Sequence, residues 1–186
     1  QGSPKQIAQM VSRNDAHIGI ASESLSLYPE LLAMPGYQWH HVVVVREGHP
    51  LLKAGRLTLE ALAEYPIITY SPEFTGRSQI DEAFTSRGLT FDIVLTAIDS
   101  DVIKTYVELD LGVGIIAAMA FDPERDRGLR AIDAGHLFRH STTRIAIRRG
   151  AYLRSYTYDF IELFAPHLTR EVIEQALEGG GESYEL

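Results

Sequence analysis

The chain has 186 residues, with 25 acidic and 17 basic side chains and a formal net charge of −8. Hydrophobic residues make up 45% of the chain and charged residues 23%, which is typical of globular domains rather than disordered or fibrous chains. The acidic excess opposes direct binding to nucleic acid, because such binding depends on Lys and Arg neutralising phosphates. The absence of cysteine excludes disulfides, thiolate nucleophiles and cysteine-based metal sites.

Nothing in the sequence predicts insertion into a membrane. No apolar run approaches the roughly 20 residues that cross a bilayer, and no signal-peptide core follows Gln1. We therefore expect a cytoplasmic protein without a membrane partner. Because the chain lacks an initiator methionine and begins almost directly with a helix start, we interpret it as part of something longer.

The first predicted elements are a helix and a buried strand. Ser3 as N-cap, Pro4 at the first helical position and Gln6 form a capping box, and apolar residues follow at helical spacing, which predicts a helix over 4–14. The short apolar run Ile18–Ala21 predicts a strand.

Helices and strands then alternate to the end of the chain. The run from Val42 to Val45 is the strongest strand signal, and two helices precede a glycine-rich tail that we expect to be flexible from Gly179 onward. Between them the pattern predicts helices beginning at Thr58, after Ser71–Gly76 and at Asp99 or Ser100, and strands over 67–70, 91–97, 113–116, 129–132 and 143–148. Such alternation predicts an α/β fold with a mainly parallel sheet covered on both faces.

The loop Phe74–Ser78 is the first candidate site, because ligands of α/β folds lie where strands end and helices begin. Thr75 and Ser78 supply hydroxyl groups, Gly76 permits close backbone approach and Arg77 supplies a guanidinium. These groups at a helix start suit an anion. The alternative is an ordinary capped loop with Thr75 or Ser78 as the N-cap.

Two further residues are candidates for contact with a ligand. Ser22 follows the first predicted strand, where its hydroxyl can face a ligand or simply belong to a turn. Trp39, the single tryptophan, lies just before the Val42 strand and can wall a pocket or pack in the core.

Little in the sequence supports metal binding, cofactor binding or catalysis. His136 and His140 lack a helix that would place them on one face, and the adjacent His40 and His41 point to opposite faces of a strand. There is no nucleophile elbow, phosphate loop or cysteine nucleophile, and Leu111–Gly114 follows a helix, the reverse of the dinucleotide-binding order. We interpret that string as a helix cap, with the helix ending at Gly112, followed by close packing. We therefore expect no metal, no cofactor and no enzyme.

Several strings together resemble one family. Phe74–Ser78, Asp101–Val107 and Leu111–Gly114 occur in the order found in the effector-binding domain of LysR-type transcriptional regulators. Within that family, the strings His140–Thr143, Leu153–Tyr156 and Phe164–Arg170 resemble the CysB and Cbl branch, which controls sulfur assimilation and cysteine biosynthesis. The resemblance runs from residue 1 to about residue 177.

The resemblance implies two Rossmann-like subdomains joined by two crossover strands, the fold of type 2 periplasmic binding proteins. Residues 1–38 plus 141–186 would form effector subdomain I, incomplete on its N-terminal side, and residues 39–140 effector subdomain II. The crossovers would run near Trp39–Val45 and His140–Ile147. The winged helix-turn-helix that binds DNA is not in this chain.

The resemblance also implies a ligand and partners. Family members bind N-acetylserine, O-acetylserine, sulfate or thiosulfate in a cleft, where Thr75, Trp39 and Ser22 match positions that contact the effector. Ser22 departs from the threonine expected there. A homo-oligomer, dimer or tetramer, is implied for the intact protein, with DNA bound only through the absent domain. Two competing classes have the same fold: the solute-binding protein of a transporter, and an enzyme. A signal peptide upstream of Gln1 would indicate the transporter protein, whereas a helix-turn-helix there would indicate the regulator. Turnover of an acetylserine would indicate the enzyme.

Overall fold

The computed structural model describes residues 2–179, apart from the side chains of residues 23, 24 and 75. The chain divides into two compact units: Gln1–Gln38 with Ser141–Leu186 forms unit 1, and Trp39–His140 forms unit 2. The predicted flexible tail lies outside the described residues from residue 180 onward.

The described part of the chain contains α-helices, β-strands and three short 3-10 helices. The α-helices are α1 (Pro4–Ser12), α2 (Leu59–Ala63), α3 (Thr75–Ser86), α4 (Ser100–Glu108), α5 (Ser155–Phe164) and α6 (Arg170–Glu178). The strands are β1 (Ile18–Ala21), β2 (Leu31–Trp39), β3 (His41–Arg46), β4 (Ile67–Tyr70), β5 (Ile93–Ala97), β6 (Val113–Ala117), β7 (Leu129–Asp133) and β8 (Ser141–Arg148). The 3-10 helices cover Glu23–Leu27, Pro50–Lys53 and Ala118–Ala120.

The capping box predicted for α1 is confirmed. The Gln6 N–H donates to Ser3 Oγ, and the Ser3 N–H donates to Gln6 Oε1 over 2.8 Å. The helix ends at Ser12, two residues earlier than predicted, because Asn14 takes a left-handed conformation with φ 64°.

Unit 1 is built on a three-stranded sheet in the order β1-β8-β2, with β1 antiparallel to β8. Side chains of β8 alternate between two apolar clusters: Ile145 and Ile147 pack with α5 and α6, whereas Ala146 packs with α1. A Cβ at Gly19 of β1 would lie 2.7 Å from Ile7 Cγ2. Glycine there lets α1 approach the sheet closely.

Strand β2 was not among the predicted elements, because Pro35-Gly36 in its middle is typical of a turn. Its place at the edge of the sheet accounts for the proline, since an edge strand does not need every N–H for pairing. The glycine is explained by packing, because a Cβ at Gly36 would lie 2.9 Å from the Phe164 ring.

Unit 2 contains a five-stranded mixed sheet in the order β5-β4-β6-β3-β7. Strand β4 runs parallel to β5 and β6, whereas β3 runs antiparallel to β6 and β7. The prediction of a mainly parallel sheet is therefore wrong, although the α/β class is right. Helices connect the parallel strands, as parallel pairing requires, but no helix joins β2 to β3.

The run Val42–Val45 is apolar at every position because both faces of this sheet are covered by helices. Val43 and Val45 belong to a cluster with α2 and α3, whereas Val42 and Val44 belong to a cluster with α4. A strand whose successive side chains are all buried needs apolar residues at every position.

The segment between α4 and β6 corrects one prediction and confirms another. Helix α4 ends at Glu108, and Asp110, with φ 64°, rather than Gly112, takes the left-handed conformation. A Cβ at Gly112 would instead clash with the Pro66 carbonyl oxygen. The predicted close packing holds at Gly114, where a Cβ would lie 2.9 Å from Val107 Cγ2.

Among the helices of residues 2–179, none has the length and apolar character needed to cross a bilayer.

Candidate functional site

The predicted anion-binding loop, or cradle, leads into the start of α3. Thr75 is the first helical residue, and Phe74, which has no side-chain acceptor, occupies the N-cap position. The alternative with Thr75 or Ser78 as the N-cap is therefore wrong. The first N–H groups of a helix have no partner within the helix, and the dipole there favours negative charge.

Gly76 is the point on which several side chains of unit 2 converge. The position of a Cβ on this buried glycine lies 3.0 Å from His41 Nε2, 3.4 Å from Trp39 Cη2 and 3.6 Å from Tyr70 Cδ2. The absence of a side chain at Gly76 therefore leaves just enough room for three rings. The structure thus brings two predicted site residues together, Trp39 and Gly76.

His41 lies behind the first turn of α3 and is fully buried. Its ring contacts those of Trp39 and Phe138 edge-on, with centroids 5.1 and 5.4 Å away. Within the described part of the chain, neither ring nitrogen has a hydrogen-bond partner. Burial, with a smaller contribution from His40, lowers the pKa of His41 to about 4, so the ring is neutral at pH 7.

Tyr70, at the end of β4, fixes the elements around the cradle. Its hydroxyl lies 2.8 Å from Ser100 Oγ and accepts a hydrogen bond from the Ala117 N–H at 2.9 Å. Burial raises the pKa of Tyr70 above its usual value. The hydroxyl therefore stays neutral while it ties the end of β6 and the start of α4 to β4.

The Arg77 side chain donates hydrogen bonds to its own helix, α3, and to strand β4. Its Nε donates to Asp81 Oδ1 at 2.8 Å, and Nη1 donates to the Tyr70 carbonyl at 3.3 Å. Because Asp81 balances the charge and the side chain is only 14% exposed, Arg77 holds α3 against β4. Ser78 is the fourth helical residue and is exposed.

Ser22 is the predicted site residue that lies in unit 1. It occupies the N-cap position of the 3-10 helix Glu23–Leu27 directly after β1, is half-buried and makes no side-chain cap hydrogen bond. The other predicted residues lie in unit 2, and Thr75 is described by its backbone position alone.

The sequence had pointed to His41 only as half of an unconvincing metal pair, and Tyr70 only as part of a strand. The two histidines have different neighbours: His40 lies 3.3 Å from Asp133 and packs edge-on with His140, whereas His41 contacts Trp39 and Phe138. Over residues 2–179, no cluster of three His, Asp or Glu side chains is arranged to hold a metal ion. Alternation along a strand was the signal that separates the two rings.

A comparison with known protein families finds a match along most of the chain. Residues 1–169 match the family described as the LysR substrate binding domain. The chain belongs to this family, and its two units have the fold of type 2 periplasmic binding proteins.

Individual proteins similar to this chain include two transcriptional regulators and a domain of known structure. The chain is 60% identical over 173 residues to the HTH-type transcriptional regulator SsuR of Burkholderia cenocepacia, covering 93% of this chain and 56% of that protein. It is 59% identical to CysB of the same organism, covering all of this chain and 59% of the relative. The crystal structure of the cofactor-binding domain of the Cbl transcriptional regulator is 45% identical, with a TM-score of 0.89, covering 95% of this chain and 78% of that one.

These relatives are transcriptional regulators by name, not enzymes. The chain spans 56–59% of the length of SsuR and CysB.

Proposed function

We propose that the chain is the effector-binding domain of a LysR-type regulator of sulfur assimilation and cysteine biosynthesis. Its effector is a small anion: N-acetylserine, O-acetylserine, sulfate or thiosulfate. The observation that carries this proposal is the 59% identity to a regulator named CysB along the whole chain. The intact protein acts in the cytoplasm as a homo-oligomer and contacts DNA through a separate domain.

The cradle suits an anion without using a charged ligand. His41 and Tyr70 are neutral at pH 7, and Asp81 balances the guanidinium of Arg77. Attraction for an anion therefore comes from the α3 amides and the helix dipole.

The predicted site residues take distinct roles in this proposal. Thr75 donates its hydroxyl to an anion oxygen, and Gly76 lets backbone amides approach it. Trp39 forms the wall beside Gly76. Arg77 contributes by holding α3 in place, while Ser78 lies on the exposed side of the first turn.

Calorimetry on the intact protein with the four candidate effectors tests the proposal directly. Binding of at least one of them, saturating at one site per chain, is the expected result. If none of the four binds, the assignment to sulfur metabolism is wrong.

Replacing Thr75 by valine tests the cradle itself, because the change keeps the shape and removes the hydroxyl. Losing a hydrogen bond to a charged ligand costs about 1.5–3 kcal/mol, or roughly tenfold to a hundredfold in affinity. The matched control is Thr85→Val at the other end of α3, where the exposed hydroxyl donates to the Asp81 carbonyl. We expect calorimetry to show weaker binding for Thr75→Val alone; equal affinities in both variants would remove Thr75 from the site.

A further inference from the structure

Among the described side chains near the start of α3, His41 has buried polar atoms without a hydrogen-bond partner. A neutral imidazole carries one N–H donor and one acceptor. Both nitrogens are buried without a hydrogen-bond partner among the described residues. Buried polar groups in native proteins nearly always have a partner, since leaving one unpaired costs about 1–3 kcal/mol. An unpaired ring behind a proposed binding site therefore points to a partner that arrives with the ligand.

The direction of the ring supports this reading. Nε2 lies 3.0 Å from the Cβ position of Gly76, so it faces the first turn of α3 where no side chain intervenes. Phe138 contacts the same ring edge-on, with centroids 5.4 Å apart. The neighbours of Nε2 that belong to the candidate site are Gly76 and Trp39.

Trp39 is the movable part of this path. Its ring is half-buried and packs on His41 at 5.1 Å between centroids, whereas Phe138 is buried in the apolar cluster with Phe84. Because Phe138 is packed in that cluster and Trp39 is not, we expect any movement that exposes Nε2 to be a movement of the Trp39 ring.

We propose that His41 is an additional ligand-binding residue of the anion site: its Nε2–H donates to an oxyanion or carboxylate bound at the start of α3, once the Trp39 ring shifts. This rests on the proposed function, because it requires an anion at that helix start. His41 then adds a neutral donor to those of the α3 amides. The bound anion supplies the hydrogen-bond partner that Nε2 lacks.

The competing explanation is that the ring only fills space between Trp39 and Phe138. Two variants of the intact protein separate these roles. His41→Phe keeps an aromatic ring and removes both nitrogens, whereas His41→Gln replaces the ring but offers an amide N–H. Sulfate is the probe, with its affinity measured by calorimetry and by the fluorescence of Trp39, the single tryptophan.

A donor role predicts different effects of the two variants on binding. We expect about tenfold weaker sulfate binding in His41→Phe and an affinity within about threefold of wild type in His41→Gln. Equal affinity in His41→Phe and wild type would overturn the inference, and so would equal losses in both variants.

A measurement on the wild-type protein covers the case in which a variant fails to fold. In 15N-histidine-labelled protein, sulfate is expected to shift the His41 Nε2 resonance, and an unchanged resonance at saturation would contradict the inference. The two proposals fail in different ways. No binding of any of the four candidate effectors to wild type would overturn the proposed function and this inference together, whereas unimpaired binding by His41→Phe would overturn this inference alone.

Discussion

A single buried histidine links the chemistry of the candidate site to the stability of unit 2. His41 is held neutral because its ring is fully buried against Trp39 and Phe138. Burial of an imidazole disfavours its charged form, and the adjacent His40 adds to that effect. The folded chain therefore resists a proton that the unfolded chain accepts.

This difference predicts a loss of stability in mild acid. The pKa of His41 is about 4 in the folded state, against 6.5 for an unperturbed histidine, so its contribution is complete above about pH 6.5 and falls as the pH drops toward 4. The full loss is about 3 kcal/mol. We expect urea unfolding of wild type and His41→Phe to diverge over this range, with the wild type losing more stability.

Carboxylates also titrate in acid, but wild type and His41→Phe carry the same carboxylates, so the difference between the two profiles isolates the contribution of His41. If His41→Phe loses stability in parallel with wild type between pH 6.5 and 4, the ring of His41 is not buried as the structure places it.

The site was only partly predictable from the sequence, for reasons that individual residues make clear. Gly76 and Arg77 were evident because glycine and arginine before a helix carry a local signal. His41 was not, because its importance depends on Phe138 and Gly76, which are distant in the chain. Arg77 was predicted as an anion ligand, but its pairing with Asp81 is visible only in the structure.

At the scale of elements, helix α4 depends on the absence of a side chain at one strand position. A Cβ at Gly114 of β6 would lie 2.9 Å from Val107 Cγ2 and 3.1 Å from Ile103 Cγ2, both buried on α4. A methyl group added at this position would push α4 away from the sheet, because the two elements are already in close contact.

Gly114→Ala is therefore expected to destabilise the protein by about 2 kcal/mol. Overpacking a core costs roughly 1–3 kcal/mol, which outweighs the smaller gain from restricting the unfolded chain. The matched control is Gly128→Ala in an exposed turn, where a Cβ would meet nothing within 4 Å. If urea unfolding gives both variants the same stability as wild type, α4 can move away from β6 to make room for the methyl group.

The sequence predicted elements better than their arrangement. Local signals predicted the capping box of α1 and a start of α4 at Asp99 or Ser100, of which Asp99 is the N-cap in the structure. Pairing is non-local, so the antiparallel partners of β3 left no mark on its run of valines. Strand β2 was missed because Pro35 and Gly36 signal a turn locally, whereas an edge position and the Phe164 ring decide the outcome.

At the scale of the whole molecule, the two units differ in how the chain builds them. Unit 2 is one continuous segment, and both of its apolar clusters draw only on residues of that segment. Unit 1 combines two segments that are far apart in the chain, and its clusters need both. Continuity makes unit 2 a candidate for independent folding.

We predict that a peptide of residues 39–140 folds alone. Its sheet has helices on both faces and its roughly 100 residues lie in the usual size range of domains, so a stability of about 5 kcal/mol is expected from typical values per residue. Urea unfolding followed by circular dichroism and by Trp39 fluorescence should give one coincident, cooperative transition.

The same peptide carrying Gly114→Ala is the control for native packing. If the peptide forms the sheet and helices found in the whole chain, this variant unfolds at lower urea by an amount that matches its effect in the intact protein, because Ile103, Val107 and β6 all lie within the segment. A broad, non-cooperative transition, or a peptide indifferent to the added methyl group, would mean that unit 2 acquires its packed core only when the remainder of the chain is present.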